Sequence, residues 1–275
     1  MGIISFILII TNVLFSYRGF NNSTFFDRYK FEVNKILIYK EYYRIFTSGF
    51  LHINWMHLIF NMFSLFAFSF NLEMYLGIAG FCIVYFASLI GGNLLALLIH
   101  RNHGDFSSVG ASGAISGVIF ASIALFPGMR VGLLFLPIPA WLFGALYIGI
   151  SIYAIRSNRD NIGHESHLGG ALIGMVLALL LNPAAFLANL PVILIIMIPM
   201  MVFIFIIIKR PDLLFIDNFY FKKHTDHYSV DHAYNERRTS NQKELDKLLD
   251  KISKKGINSL SKKEKDRLKE LSEKN

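Results

Sequence analysis

The sequence predicts an all-α, polytopic transmembrane helical bundle with a small polar tail, and three observations carry that prediction. Hydrophobic residues make up 54% of the 275, with 26 phenylalanines among them, and mean hydropathy is +0.47; a domain with a solvated surface is less apolar than this. Apolar runs close to the ~20 residues that a helix needs to cross a bilayer recur along the chain. After Lys209-Arg210 the composition turns polar and charged.

Taken in order, the apolar segments fall at residues 2–17, 55–70, 77–100, 109–126, 131–155, 163–181 and 190–208. The first six form a compact core over residues 1–182, and the seventh is an additional crossing over 183–210. The first segment has the length of a signal peptide but lacks a basic n-region and a small-x-small cleavage site before Tyr17, so it is expected to be a retained helix. Short connections are expected near Glu73, Arg130 and Pro183. The fifth segment carries Pro137 and Pro139, which weaken a helix locally. Residues 211–239 form a linker in which aromatics alternate with charges. Residues 240–275 have the pattern of a small polar helical hairpin: Thr239-Ser240-Asn241-Gln242 is a capping-box sequence, and Leu245, Leu248, Leu249 and Ile252 follow at helical spacing. Gly256 supplies a stop, and Ser261-Lys262-Lys263-Glu264 starts a second helix with Leu268 and Leu271 on its apolar side.

Charge and cysteine content narrow the partners. The net charge of +8 is concentrated in the first long loop and the tail, where anionic lipid headgroups are a sufficient partner and nucleic acid is not required. Cys82 is the one cysteine, so the chain has no internal disulfide framework, and its place in an apolar helix fits a buried structural thiol.

Polar residues inside spans are costly, and those that persist are either paired between helices or functional. Here they cluster in three segments. Ser112 lies in the glycine-rich run Val109-Gly110-Ala111-Ser112-Gly113-Ala114-Ile115-Ser116-Gly117. His52, His57 and Asn61 lie at the second segment, with His57 and Asn61 at i, i+4 on one helix face. His164 and His167 open the sixth, followed by Gly170-x-x-x-Gly174. Spacings such as Gly113-x-x-x-Gly117 are common where membrane helices touch, so the glycines have a packing role available to them without any chemistry. Close helix approach is also what a serine-histidine hydrogen bond requires. A serine hydroxyl is a weak nucleophile at neutral pH and needs a base within hydrogen-bond reach, a task to which histidine is suited. A tetrahedral intermediate would further need donors for its oxyanion, which the Ser112 N–H, the Asn61 amide and the His57 ring can supply. Glu165 projects about 100° or more away from His167 on a helix, so a dyad is simpler than a triad.

At these residues the chain resembles the rhomboid family of intramembrane serine proteases. The family's Gly-x-Ser-Gly motif is matched by Gly110-Ala111-Ser112-Gly113, its histidine helix by His167-Leu168-Gly169-Gly170 with Gly174, and its second-span pattern by His52, His57 and Asn61. The resemblance extends from Thr11 to Leu181 and includes Tyr43-Arg44, where the family more often has Trp-Arg, and Glu73. It implies Ser112 as nucleophile, His167 as general base, Asn61 and His57 as oxyanion donors, and a structural role for His52. It also implies single-span membrane-protein substrates, a bilayer environment, a bacterial cell (inner) membrane location, and neither cofactor nor metal. The fifth span and the loop at 156–162 would be gate and cap. One departure stands out: the position four after the nucleophile, often aromatic in the family, is Ser116. His164 is the rival base; His167 is preferred because it directly precedes the Gly169-Gly170 pair.

Other classes fit less well. His164-Glu165-Ser166-His167 has the wrong spacing for a His-Glu-x-x-His metalloprotease helix, and no inverted repeat of broken helices marks a transporter. The runner-up is a catalytically inactive rhomboid-like protein that binds and routes membrane clients. Orientation draws on two opposed signals. Lys and Arg favour the loop set that includes residues 18–50 and the tail, which the positive-inside rule makes cytoplasmic, whereas the resemblance puts the catalytic opening outside. The family orientation is favoured because the first loop is expected to lie partly in the interface.

Overall fold

A computed structural model describes residues 2–133, 136–157 and 163–209, together with Leu248, Lys251, Ile252, Ser261, Glu264 and Leu268. The chain divides into two units, Met1–Lys222 and Lys223–Asn275.

In the first unit α1 (Ile3–Asn21) leads into short interfacial pieces: α2 (Ser23–Tyr29), β1 (Phe31–Glu32), α3 (Val33–Leu37), α4 (Arg44–Thr47) and a 3₁₀ turn at Ser48–Phe50. Arg44 organises this segment from within. It is buried, its Nη1 donates to the carbonyls of Asp27 and Lys30 at 2.7 and 2.8 Å, and its Nε donates to Glu41 at 2.5 Å. That guanidinium holds the Glu41 carboxyl below the usual carboxylate range. Exposed Tyr17, Tyr39, Tyr42, Tyr43 and Trp55 surround the same region, as expected where aromatic rings meet the headgroup layer.

The next element, α5 (Trp55–Ile99), is 45 residues long and breaks at Gly77, whose φ of +71° and ψ of 174° leave the helical region. The chain folds back there, because Asn93 in the second half returns to hydrogen-bond Ser48 and Ile45 near the start of the first. The second and third predicted spans are therefore the two halves of α5. Their junction is Gly77, not the expected connection near Glu73. Glu73 stays helical and buried, and its carboxylate accepts from the Ile4 N–H (2.9 Å), the Ser5 N–H (3.0 Å) and the Ser5 hydroxyl (2.5 Å). It thereby satisfies donors that the first turn of α1 would otherwise leave open.

β2 (Ser107–Ser108) pairs antiparallel with β1 and leads to α6 (Ser112–Leu125), in which every residue from Gly113 to Leu125 is buried. A helix apolar all round belongs at the centre of a bundle, and α5 and α8 (His164–Leu181) make their most extensive contacts with it and with each other. At 14 residues α6 is about 21 Å long, short of the ~30 Å hydrocarbon layer.

The fifth predicted span is corrected at its start. β3 (Arg130–Leu133) and β4 (Leu136–Pro139) pair antiparallel, Arg130↔Pro139 and Gly132↔Pro137, and the helix α7 (Ala140–Ser157) begins only after them. Proline lacks the N–H that a helix interior needs but is accommodated on the edge of a two-stranded ribbon. Neither Pro137 nor Pro139 lies in a span, so neither can weaken one. Of the expected cap, residues 158–162 lie outside the described residues. A short α9 (Pro183–Ala188) precedes α10 (Leu190–Lys209), which packs on α7.

Among the described residues, α1, α5, α8 and α10 are long and apolar enough to cross a membrane, and α6 and α7 are shorter apolar helices. Large apolar side chains point outward, among them Phe60, Phe63, Ile150, Leu187 and Phe205. A chain with that exterior is an integral membrane protein in a lipid bilayer. In the second unit Ile252 and Leu268 pack against the buried Leu248. The Ser261 N–H donates to Glu264 at 2.7 Å while the Glu264 N–H donates to the Ser261 hydroxyl at 3.3 Å. This is a reciprocal capping box. The predicted linker 211–239, the capping sequence at 239–242 and the stop at Gly256 lie outside the described residues.

Candidate active site

Three helices begin at one end of the bundle, and each brings a polar side chain there. Ser112 is the first residue of α6, a position whose N–H has no partner within the helix. The segment before it is pinned by the β1–β2 pair and by a bond from the Gly110 N–H to the Ser48 carbonyl, 3.0 Å. Gly110 has φ +137°, which favours glycine, and a Cβ there would stand 3.0 and 3.1 Å from Cε1 and Nε2 of His57 and 3.4 Å from the Ser112 hydroxyl. His57 and Ser112 thus border one common point. A residue larger than glycine would fill it.

The α5 groups owe their placement to local capping. Asn54 accepts from the His57 N–H at 2.9 Å and so starts the helix, which puts His52 in the turn before it. One turn on, the buried Asn61 donates from Nδ2 to the His57 carbonyl at 2.9 Å. That bond uses one of the two N–H groups on the amide. His52 is fully buried, shares a 2.9 Å contact between Nδ1 and the Ser16 hydroxyl, and packs its ring edge-on to His57 at 5.0 Å. Its contacts brace His57.

On α8, His167 Nε2 lies 2.6 Å from the Ser112 hydroxyl. Two sets of contacts fix this approach. A Cβ on Gly170 would collide with the Gly113 carbonyl, and one on Gly174 with the Gly117 backbone, so α6 and α8 meet backbone to backbone along Gly113/Gly170 and Gly117/Gly174. The start of α8 is also anchored sideways. Glu165 pairs with His100 at 3.3 Å, and His100 stacks on Phe106 with ring centroids 3.6 Å apart. Ser166 donates to Asn93 Oδ1 at 3.2 Å. Glu165 therefore has its partner on the side of α8 away from Ser112. His164 lies edge-on to His167, ring centroids 5.3 Å apart.

Tyr147 of α7 is the site neighbour that sequence patterns did not single out. Its hydroxyl is 2.6 Å from the Ser116 hydroxyl and its ring centroid 6.2 Å from that of His167. Ser116 in turn donates to the Ser112 carbonyl at 2.7 Å. No spacing rule could have found Tyr147, because it belongs to a helix 35 residues away by numbering and one tyrosine in an aromatic-rich chain carries no pattern of its own.

Chemically, a hydroxyl within hydrogen-bond reach of an imidazole can be relieved of its proton. The starts of α5, α6 and α8 present the positive ends of their backbone dipoles to the same end of the bundle, where negative charge would be favoured. Among the described residues no group of three or more metal-ligating side chains stands together.

Comparison with known proteins places the architecture. Residues 39–184 match the model of the Rhomboid domain, and residues 228–274 match a family of unknown function. The RHOMBOID-like protein 12, mitochondrial, of Arabidopsis thaliana is 30% identical over 148 residues, 48% of this chain and 44% of that protein. Rhomboid protein 1, mitochondrial, of Saccharomyces cerevisiae is 29% identical, covering 54% and 45%. Rhomboid-like protein 11, chloroplastic, of Arabidopsis thaliana is 31% identical, covering 51% and 53%. The chain spans about half the length of these curated relatives. The domain match covers more than half of the chain, which belongs to the rhomboid family.

Proposed function

We propose that this chain is an intramembrane serine endopeptidase that cleaves single-span membrane proteins in or near their transmembrane segment through a Ser112-His167 dyad. The observation that carries the reading is the 2.6 Å approach of His167 Nε2 to the Ser112 hydroxyl at helix ends held together by glycine backbone contacts. Membership of a family whose members are generally serine proteases supports it.

In this reading His167 is neutral with its proton on Nδ1, because Nε2 must accept from the hydroxyl. As Ser112 Oγ attacks a substrate carbonyl, the hydroxyl proton passes to Nε2 and the carbonyl oxygen gains the negative charge. The Ser112 N–H, the second N–H of Asn61 and the His57 ring are the donors for that oxyanion, reinforced by the dipoles of three helix starts. His167 returns its proton to the leaving amine as the C–N bond breaks. Water then takes the place of the amine and attacks the acyl carbon while giving a proton to His167, and His167 passes that proton to Ser112 Oγ as the acyl–oxygen bond breaks, restoring the hydroxyl and the neutral imidazole. The shortness of α6 favours a nucleophile lying below the membrane surface, where a helical substrate must unwind locally to present a carbonyl.

The catalytic roles of Asn61 and His57, the division into a 1–182 core, a seventh span over 183–210, a 211–239 linker and a 240–275 tail, and a place in a bacterial inner membrane belong to the same proposal. The α10 helix following the core supports the six-plus-one order. Purified protein in lipid, given a transmembrane model substrate, is expected to cut it. Ser112→Ala and His167→Ala should each reduce cutting to background with folding intact, as measured by product mass and thermal unfolding. Uncut substrate with wild-type protein, bound but unprocessed, would instead establish the client-binding alternative.

A further inference from the structure

We propose that Tyr147 is a positioning residue for His167, and that through it the alignment of the dyad depends on α7 being seated against α6; this rests on the dyad reading above. The hydrogen count sets the direction of the contacts. Ser116 carries one hydroxyl hydrogen and donates it to the Ser112 carbonyl at 2.7 Å. The 2.6 Å contact between Ser116 and Tyr147 is therefore donated by the tyrosine. A directed pair of bonds runs from α7, through Ser116, to the backbone of the nucleophile itself.

The ring is held as firmly as the hydroxyl. Tyr147 packs edge-on to Phe120 at 5.7 Å and lies 6.2 Å from Phe143. Its centroid is 6.2 Å from that of His167, with the planes inclined by 41°. His164 stands edge-on to His167 at 5.3 Å, so His167 has both a ring from its own helix and a ring from α7 as neighbours. A single bond at Nε2 fixes where one atom of the imidazole lies but leaves the ring free to swing about it. Packing against the ring removes that freedom.

The contact also joins two parts of the bundle that are otherwise differently attached. Helices α6 and α8 meet along their whole length, whereas α6 and α7 touch much less extensively. An outward displacement of α7 carries Tyr147 away from both Ser116 and His167. A misplacement of about 1 Å at a catalytic group lowers turnover about 100-fold. Seating of α7 and competence of the dyad are in this way one event.

The test compares Tyr147→Ala, Tyr147→Phe and Ser116→Ala with wild type in proteoliposomes. Tyr153→Ala on α7, whose side chain is exposed, is the control. Tyr147→Ala is expected to lower kcat about 100-fold with KM changed by less than about twofold. Tyr147→Phe, which loses one hydrogen bond, and Ser116→Ala, which loses two, both keep the ring and should retain kcat to within about tenfold, and Tyr153→Ala should match wild type. A second readout needs no substrate: diethylpyrocarbonate modification of His167, followed by mass spectrometry, should be faster in Tyr147→Ala than in wild type or Tyr147→Phe. Unchanged kcat in Tyr147→Ala, or equal losses in the Ala and Phe variants, would overturn the proposal. If wild type shows no Ser112-dependent cleavage, the dyad reading fails by itself, and the modification rate decides alone: a rate at His167 unaltered by Tyr147→Ala overturns the positioning role, and a raised one upholds it.

Discussion

Helix α8 meets α6 backbone to backbone, whereas α7 meets it through the ends of side chains. On the α8 side the would-be Cβ atoms of Gly170 and Gly174 strike Gly113 and Gly117 main-chain atoms. On the α7 side the Cβ of Gly144 would meet Cδ1 of Ile123 at 2.8 Å and Cδ1 of Ile196 at 3.3 Å. Main chain built into a helix has nowhere to go, but a terminal methyl group can turn aside. Two apolar helices beside the same central one are thus attached with different stiffness. The stiff attachment is the one that sets the 2.6 Å distance between Ser112 and His167.

The largest expected effect follows from forcing the stiff side. Gly170→Ala and Gly174→Ala should each cost about 3 kcal/mol or more, the upper end of overpacking penalties. The losses should appear together as a lower thermal unfolding midpoint in detergent and weaker cleavage. A variant that keeps wild-type stability and activity would show that the seam can open without harm, and the contrast between the two sides would collapse. The matching change on the soft side, Gly144→Ala, should cost under about 1 kcal/mol in the same unfolding assay. A penalty equal to that of Gly170→Ala would mean that α7 is as rigidly held as α8. Farther out on α7, a Cβ on Gly149 would meet nothing within 4 Å. Gly149→Ala should therefore stabilise by about 0.5–1 kcal/mol, the helix preference of alanine over glycine. A destabilised Gly149→Ala would reveal a partner on that face.

The stiff side was legible in the sequence because it is written in spacing. Gly113-x-x-x-Gly117 and Gly170-x-x-x-Gly174 repeat one turn apart, and the register in which the two stripes interlock also brings the starts of their helices, with Ser112 and His167, to one end. The soft side was not legible, since side-chain tips meet wherever volumes happen to fit and Tyr147 follows no period. The β3–β4 pair was hidden for a related reason. Its residues are as apolar as those of a span, and only the two prolines, read as weak points within a helix, marked a segment that pairs as strands instead. Gly77 likewise looked like the first residue of a span and proved to be the point where a 45-residue helix reverses. Composition places a residue in the membrane. It does not say which backbone geometry it adopts there.

The position of Ser112 at the first residue of α6 has a consequence for how this sequence can change in length. A residue inserted downstream of Ser112 leaves the serine where it is but turns everything after it by about 100° about the helix axis, swinging Gly113 or Gly117 away from α8. Bilayers tolerate spans of varying length, yet the stretch from Gly110 to Gly117 is held to a fixed count of residues. Lengthening or shortening of the chain is tolerated instead past the end of α6, in the segment that joins it to α7, where no register with α8 is at stake.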